Sequence, residues 1–97
     1  MITKPRVVKD YEKLDKNIQE LIKLEYPYGF EDHLVMFNNA DGKRVSALPF
    51  ETVEKYYLVR MTLAEAQEII EEDDDYDEEG NLTEEAQEEY EEKHEDE

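Results

Sequence analysis

Cysteine is absent from this chain of 97 residues, and serine occurs only at Ser46. The chain therefore has no disulfide, no thiolate metal site and no thiol nucleophile. No motif that activates a serine nucleophile surrounds Ser46. The three glycines, Gly29, Gly42 and Gly80, lie far apart, so no glycine-rich phosphate loop is present. These absences favour a protein that is not an enzyme.

Long apolar segments are also missing. The longest unbroken aliphatic or aromatic runs are 34–37 and 56–59, far short of a membrane span. The first eight residues lack the apolar core of a signal peptide, and the absence of cysteine fits a reducing compartment. We therefore expect a soluble cytoplasmic protein without membrane binding.

Charge is distributed very unevenly along the chain. Residues 1–61 hold ten Lys or Arg and ten acids, whereas residues 62–97 hold 19 acids and one base, Lys93. The whole net charge of −18 thus belongs to the C-terminal third. Such a segment repels nucleic acid and anionic membranes and attracts cations and basic protein surfaces. We expect an unidentified protein partner, basic in character, and no direct binding to nucleic acid.

The acidic run 71–79 divides the chain. The length allows one small domain. We predict that residues 1–72 form this α+β domain and that residues 73–97 are a flexible acidic tail. The tail would supply solubility, or steering toward a basic partner.

Apolar residues near the N-terminus recur at alternating spacings of four and three: Val7, Tyr11, Leu14, Ile18 and Leu21. This spacing predicts an amphipathic helix. Two starts are open, with Pro5 in the first turn or Asp10 as the N-cap. Pro27 ends the helix because proline disfavours helical backbone in the residue before it.

Three strands are predicted next, over residues 33–38, 43–50 and 55–61. Asn39-Ala40-Asp41-Gly42 supplies a tight turn between the first two. Short connections favour an antiparallel meander with the helix packed across one face. Residues 62–65 have the spacing of a capping box that opens a further helix. The predicted order is therefore α-β-β-β-α, followed by the acidic tail.

The tail contains one more helical segment, residues 83–94. Its apolar face consists only of Leu82, Ala86 and Tyr90, and its glutamates repel one another at a spacing of four residues. A lone helix this short is marginal in water. We expect weak order or partial helix. Imitation of a nucleic-acid backbone by these carboxylates would require a stable helix.

The most specific local motif is residues 75–86, which resemble the calcium-binding loop of EF-hand proteins. The matching residues are Asp75, Asp77, Glu79, Gly80, Leu82 and Thr83. The resemblance implies calcium binding through Asp75, Asp77 and Glu79. The twelfth position, where that family places a bidentate Glu, is Ala86. The alternative interpretation is an acidic linker, a glycine turn and a capped helix.

Three further groups have two interpretations each. Glu31-Asp32-His33 is a titratable trio for catalysis, or a solvated surface group. Six aromatic residues are a peptide-binding surface or the core of a small domain: Tyr26, Tyr28, Phe30, Phe50, Tyr56 and Tyr57. Four cations are a docking site for the acidic tail or protect sheet edges from self-pairing: Lys43, Arg44, Lys55 and Arg60.

Two functions follow from these patterns. The first is a non-enzymatic protein-binding or regulatory module without a cofactor. It would present its sheet edge or its aromatic loop to a protein partner, and its acidic tail would give solubility or steering to a basic partner. The second is a calcium-responsive protein that uses the loop at residues 75–86.

Overall fold

One mixed four-stranded sheet organises the computed structural model, which describes residues 4–95. The strands are β1 (Arg6–Asp10), β2 (Val35–Asn38), β3 (Arg44–Glu51) and β4 (Tyr56–Arg60). Their spatial order is β1-β4-β3-β2. β1 runs parallel to β4, while the β4–β3 and β3–β2 pairs are antiparallel. The α+β class and the three-stranded meander predicted from sequence are therefore present, with a fourth strand added.

Three α-helices accompany the sheet: α1 (Lys16–Glu25), α2 (Leu63–Glu72) and α3 (Glu84–Lys93). Two short 3₁₀ turns, Tyr11–Lys13 and Glu31–His33, precede α1 and β2. The predicted capping box is confirmed at α2, where Thr62 and Glu65 each bond the other's backbone amide. No helix within residues 4–95 is long and apolar enough to cross a membrane.

The predicted start of the first helix is wrong. Val7 lies in β1, opposite Tyr57, and Tyr11 belongs to the following 3₁₀ turn. Neither Pro5 nor Asp10 begins the helix, which starts at Lys16 and ends at Glu25, just before Pro27. Val7 and Tyr11 do pack against the core, but from different elements. The alternating spacing of four and three residues therefore combined positions from a strand, a turn and a helix.

The turn between β2 and β3 forms as predicted. The side chain of Asn39 accepts hydrogen bonds from the amides of Asp41 and Lys43, both at 3.0 Å. Gly42 has a φ of 79°, a backbone conformation that favours glycine because it lacks a Cβ.

The core lies between the sheet and the helices. Its fully buried large side chains are Ile22 of α1, Phe30, Leu48 of β3 and Val59 of β4. Residues beyond position 72 also belong to it: Tyr76, Leu82, Ala86 and Tyr90. The core therefore extends across the acidic run that the sequence indicated as a boundary.

The described part of the predicted tail, residues 73–95, contains the helix α3, where we expected weak order or partial helix. α3 packs against α1, and every member of its small apolar face is buried: Leu82, Ala86 and Tyr90. The argument from isolated-helix stability fails here because it leaves out tertiary contacts, which supply most helix stability in proteins. Independent folding of residues 1–72 stays a prediction.

Candidate functional site

A mostly buried ion cluster joins α1 to residues 73–95, which we call the acidic segment. Lys23 Nζ lies 2.6 Å from Asp73 Oδ2 and 2.9 Å from Asp75 Oδ2. Burial acts to lower the pKa of Lys23, but hydrogen bonds to Asp73 and Asp75 outweigh it and raise the pKa above its usual value. Lys23 is therefore held as a cation, and it anchors the start of the acidic segment on α1.

Two tyrosines complete this cluster. The Tyr90 hydroxyl of α3 donates a hydrogen bond to Asp75, and Lys23 Nζ lies 5.8 Å from the centre of the Tyr90 ring. Burial raises the pKa of Tyr11 to about 12, so this hydroxyl stays protonated. The Tyr11 oxygen is buried and has no hydrogen-bond partner within residues 4–95. The cluster is thus a structural clamp that joins α1, α3 and the loop between α2 and α3.

A second buried pair closes the C-terminal end of α3. His94 Nε2 lies 2.8 Å from Glu20 Oε1, and both side chains are almost completely buried. Lys93 Nζ lies 3.0 Å from the same oxygen. Burial acts to raise the pKa of Glu20, but hydrogen bonds from His94 and Lys93 outweigh it and lower the pKa. Glu20 is therefore ionised and holds the end of α3 on α1.

Two of the three predicted calcium ligands, Asp75 and Asp77, have other partners in the structure. Asp75 bonds Lys23 and Tyr90, as described above. Asp77 Oδ1 accepts hydrogen bonds from the amides of Glu79 and Asn81, both at 2.9 Å, and so closes its own turn. No group of three His, Cys, Asp or Glu side chains within residues 4–95 is placed to hold a metal ion. Calcium binding through Asp75, Asp77 and Glu79 stays a prediction.

The trio Glu31-Asp32-His33 lies on the surface, in the short turn before β2. Glu31 accepts a hydrogen bond from Gln67 of α2, and the His33 ring packs 4.9 Å from the Tyr26 ring. Ser46 donates its hydroxyl hydrogen bond to the carbonyl of Met61 at 2.6 Å. These side chains are thus occupied in separate structural contacts.

The aromatic residues divide between the core and the surface. Phe30, Phe50 and Tyr57 are buried, whereas Tyr28 is 80 % exposed. The four cations predicted as a basic patch are all exposed: Lys43, Arg44, Lys55 and Arg60. Arg60 pairs with Asp10 at 3.0 Å, on the neighbouring strand β1. Within residues 4–95 no ion pair joins the four to the acidic segment.

The exposed carboxylates of residues 65–95 form what we call the acidic surface. Fifteen side chains belong to it: Glu65, Glu68, Glu71, Glu72, Asp74, Asp77, Glu78, Glu79, Glu84, Glu85, Glu88, Glu89, Glu91, Glu92 and Glu95. Ten of them are on α2 and α3, whose buried faces are fixed against the core. These carboxylates are consequently presented on folded elements.

Sequence reasoning missed both buried ion pairs of α1. Lys23 and Glu20 look like ordinary charged positions of an amphipathic helix, and their partners lie about 50 to 70 residues away along the chain. The lone base among the C-terminal acids, Lys93, was the one local signal, since it contacts Glu20. Comparison with known proteins gives no further guide, because no family model, curated protein or solved structure matches the chain.

Proposed function

We propose that this protein is a non-enzymatic binding module that presents its acidic surface to a basic partner protein. The observation that carries the proposal is the placement of these carboxylates on helices whose opposite faces are buried. A partner with lysines and arginines at matching positions would meet charges at fixed spacing. Less conformational entropy is then lost on binding than with a flexible tail.

The charge balance supports the same proposal. Residues 62–97 carry the entire net charge of −18, and most of those carboxylates are exposed. The acids in the Lys23 cluster and in the Glu20–His94 pair are Asp73, Asp75 and Glu20. None of them belongs to the acidic surface, which therefore remains available. A field of this sign raises the rate of encounter with a basic protein, and salt weakens the effect.

The experiment measures binding of a fluorescent arginine- and lysine-rich peptide by anisotropy, at low and at physiological salt. One variant neutralises three positions of the acidic surface, Glu85→Gln, Glu88→Gln and Glu92→Gln. The control neutralises three exposed acids outside it, Glu25→Gln, Asp41→Asn and Glu54→Gln. Both variants change the net charge equally.

We expect the α3 variant to bind about tenfold more weakly at low salt, because each surface charge contact contributes a few tenths to about 1 kcal/mol. The control variant should bind nearly as well as the native chain. Equal losses in the two variants would show that net charge alone attracts the peptide. That result would contradict a defined binding surface.

Calcium binding at residues 75–86 remains the alternative proposal. Its support is the spacing of Asp75, Asp77 and Glu79, together with the turn at Gly80, whose φ is 83°. The partners of Asp75 in the clamp oppose it, because calcium would have to displace Lys23.

A further inference from the structure

The outer edge of β2 is open. Within residues 4–95, β2 pairs only with β3, and it ends the sheet on that side. Its sequence, Val-Met-Phe-Asn, has no charge and no proline, whereas β1 at the opposite edge carries Arg6, Lys9 and Asp10. Proteins usually protect sheet edges with charges, prolines or bulges. Apart from its shortness, four residues, β2 therefore lacks these protections against pairing with another strand.

The backbone of β2 offers bonding groups at this edge. Ser46 stands opposite Met36, yet its carbonyl accepts the amide of Met61 on the β4 side, at 3.3 Å. In an antiparallel ladder, the partner of such a residue directs its own amide and carbonyl away from the pair. The amide and carbonyl of Met36 therefore point outward, and those of Asn38 do the same by the alternation of the strand.

A groove of about 620 Å³ lies beside Met36, between the sheet and α2. Met36 is 52 % exposed there, and Glu65, Glu68 and Glu72 of α2 line the other side. The lining holds five acids and two arginines. Because Arg60 is paired with Asp10, Arg44 is the remaining cation, and the groove is acidic overall.

We propose that an extended segment of a basic partner protein adds to the β2 edge and places lysine or arginine side chains in this groove. Its backbone would bond the outward groups of Met36 and Asn38. Residues facing the same side as Met36 would direct their positive charges toward Glu68 and Glu72. Recognition of this type combines main-chain hydrogen bonds with side-chain specificity at alternate positions. The proposal rests on the proposed function, and it names the form in which the basic partner binds.

A second copy of this chain is a poorer occupant. Two copies paired along β2 would bring together chains that each carry −18, and like charges oppose that association. A basic segment gains from the same field. On the opposite face of β2, Val35 is 40 % exposed and would contact an apolar residue of the incoming strand.

The test uses a capped peptide of alternating lysine and valine and amide hydrogen exchange measured by NMR. In the free protein the amides of Met36 and Asn38 should exchange fast, since they point to solvent. The peptide should slow both by about tenfold or more, because each gains a hydrogen bond. Unchanged exchange of both amides at saturating peptide would overturn strand addition, regardless of how the substituted proteins described below bind the peptide.

The matched variants are Met36→Pro and Val8→Pro. Proline removes an amide that points outward and leaves the ladder to the neighbouring strand intact. Val8 is the control on the other edge, because Tyr56 donates its amide to Pro5 at 2.9 Å and the parallel ladder therefore directs the Val8 amide away from β4. We expect Met36→Pro to weaken peptide binding about tenfold and Val8→Pro to leave it unchanged. Equal effects would overturn the proposal.

Charge variants distinguish strand addition at the β2 edge from binding elsewhere on the acidic surface. We expect Glu68→Gln with Glu72→Gln to weaken binding more than Glu88→Gln with Glu92→Gln. If the α3 pair has the larger effect, the β2 site is wrong while the acidic surface stands. If the peptide does not bind the native chain at all, both proposals fail. A native dimer whose Met36 amide is already protected would assign the edge to a second copy and overturn the proposal.

Discussion

Replacement of Lys23 by methionine tests whether the buried ion cluster holds the acidic segment on the protein. Methionine keeps the apolar part of the side chain and removes the charge. Asp73 and Asp75 then lose a cation at 2.6 and 2.9 Å and become neighbouring carboxylates without a counter-charge in contact with them. The Tyr90 hydroxyl remains to donate to Asp75.

The expected loss in the free energy of unfolding is about 2–4 kcal/mol at pH 7. Breaking a fully buried ion pair by removing one partner costs about 3–5 kcal/mol. The side chains here are 12 % exposed for Lys23, 18 % for Asp73 and 29 % for Asp75, so solvent reduces the figure. For a small domain this is a large fraction of the total stability.

Urea unfolding followed by circular dichroism measures the loss, and its pH dependence identifies the cause. Burial acts to raise the pKa of Asp75, but the hydrogen bonds from Tyr90 and Lys23 and the positive charge of Lys23 outweigh it and lower the pKa. Stability from a lowered carboxyl pKa is present above the unfolded value of about 4 and is lost as pH falls through the folded value. The difference between native chain and variant should therefore narrow below about pH 4.

Two controls accompany this variant. Lys13→Met removes an exposed cation and should change stability by less than about 0.5 kcal/mol. Adding Asp73→Asn and Asp75→Asn to Lys23→Met should recover most of the loss, because no unpaired charge remains. A loss that persists undiminished at pH 3, or in the triple variant, would refute the electrostatic explanation.

Three more predictions concern the same segment. Truncation after Glu72 removes Tyr76 and Tyr90 from the core, so we expect fragment 1–72 to lose cooperative urea unfolding; a sharp transition and a dispersed NMR spectrum would instead support the two-part division. Glu20→Gln should lower stability by about 1–2 kcal/mol at pH 7. Because the pKa of Glu20 is lowered in the folded chain, that difference should begin to narrow below about pH 4 and be lost as the pH falls through the folded pKa, and a constant difference in pH-dependent unfolding would contradict it. In a calcium titration followed by NMR, we expect no saturable shift of the Gly80 amide below about 1 mM, since Asp75 is bonded to Lys23; a saturable shift would establish the cation-binding alternative.

Local signals in the sequence predicted much of the fold. The turn at residues 39–42, the capping box at Thr62 and the helix end before Pro27 each depend on neighbours within a few residues. Alternating β-formers likewise indicated the three strands of the meander. Such signals are reliable here because the interacting groups are close along the chain.

Distant contacts account for what the sequence did not reveal. β1 becomes a strand because β4, about 50 residues later, offers it a parallel partner, and α3 is packed because α1 is there to cover Tyr90. The candidate site was predicted in part. The acidic residues were evident from composition, but their placement on packed helices depends on Lys23 and Glu20.

The parallel pairing of β1 with β4 also has a kinetic consequence. The two hairpins β2–β3 and β3–β4 close short loops, whereas Val7 meets Tyr57 only after a loop of about 50 residues closes, at an entropic cost of about 3 kcal/mol. β1 should therefore join the sheet late during folding and leave it early during unfolding. Amides of β1 would then exchange with solvent before those of β3 and β4, so that the N-terminal strand is less persistent than the two central strands.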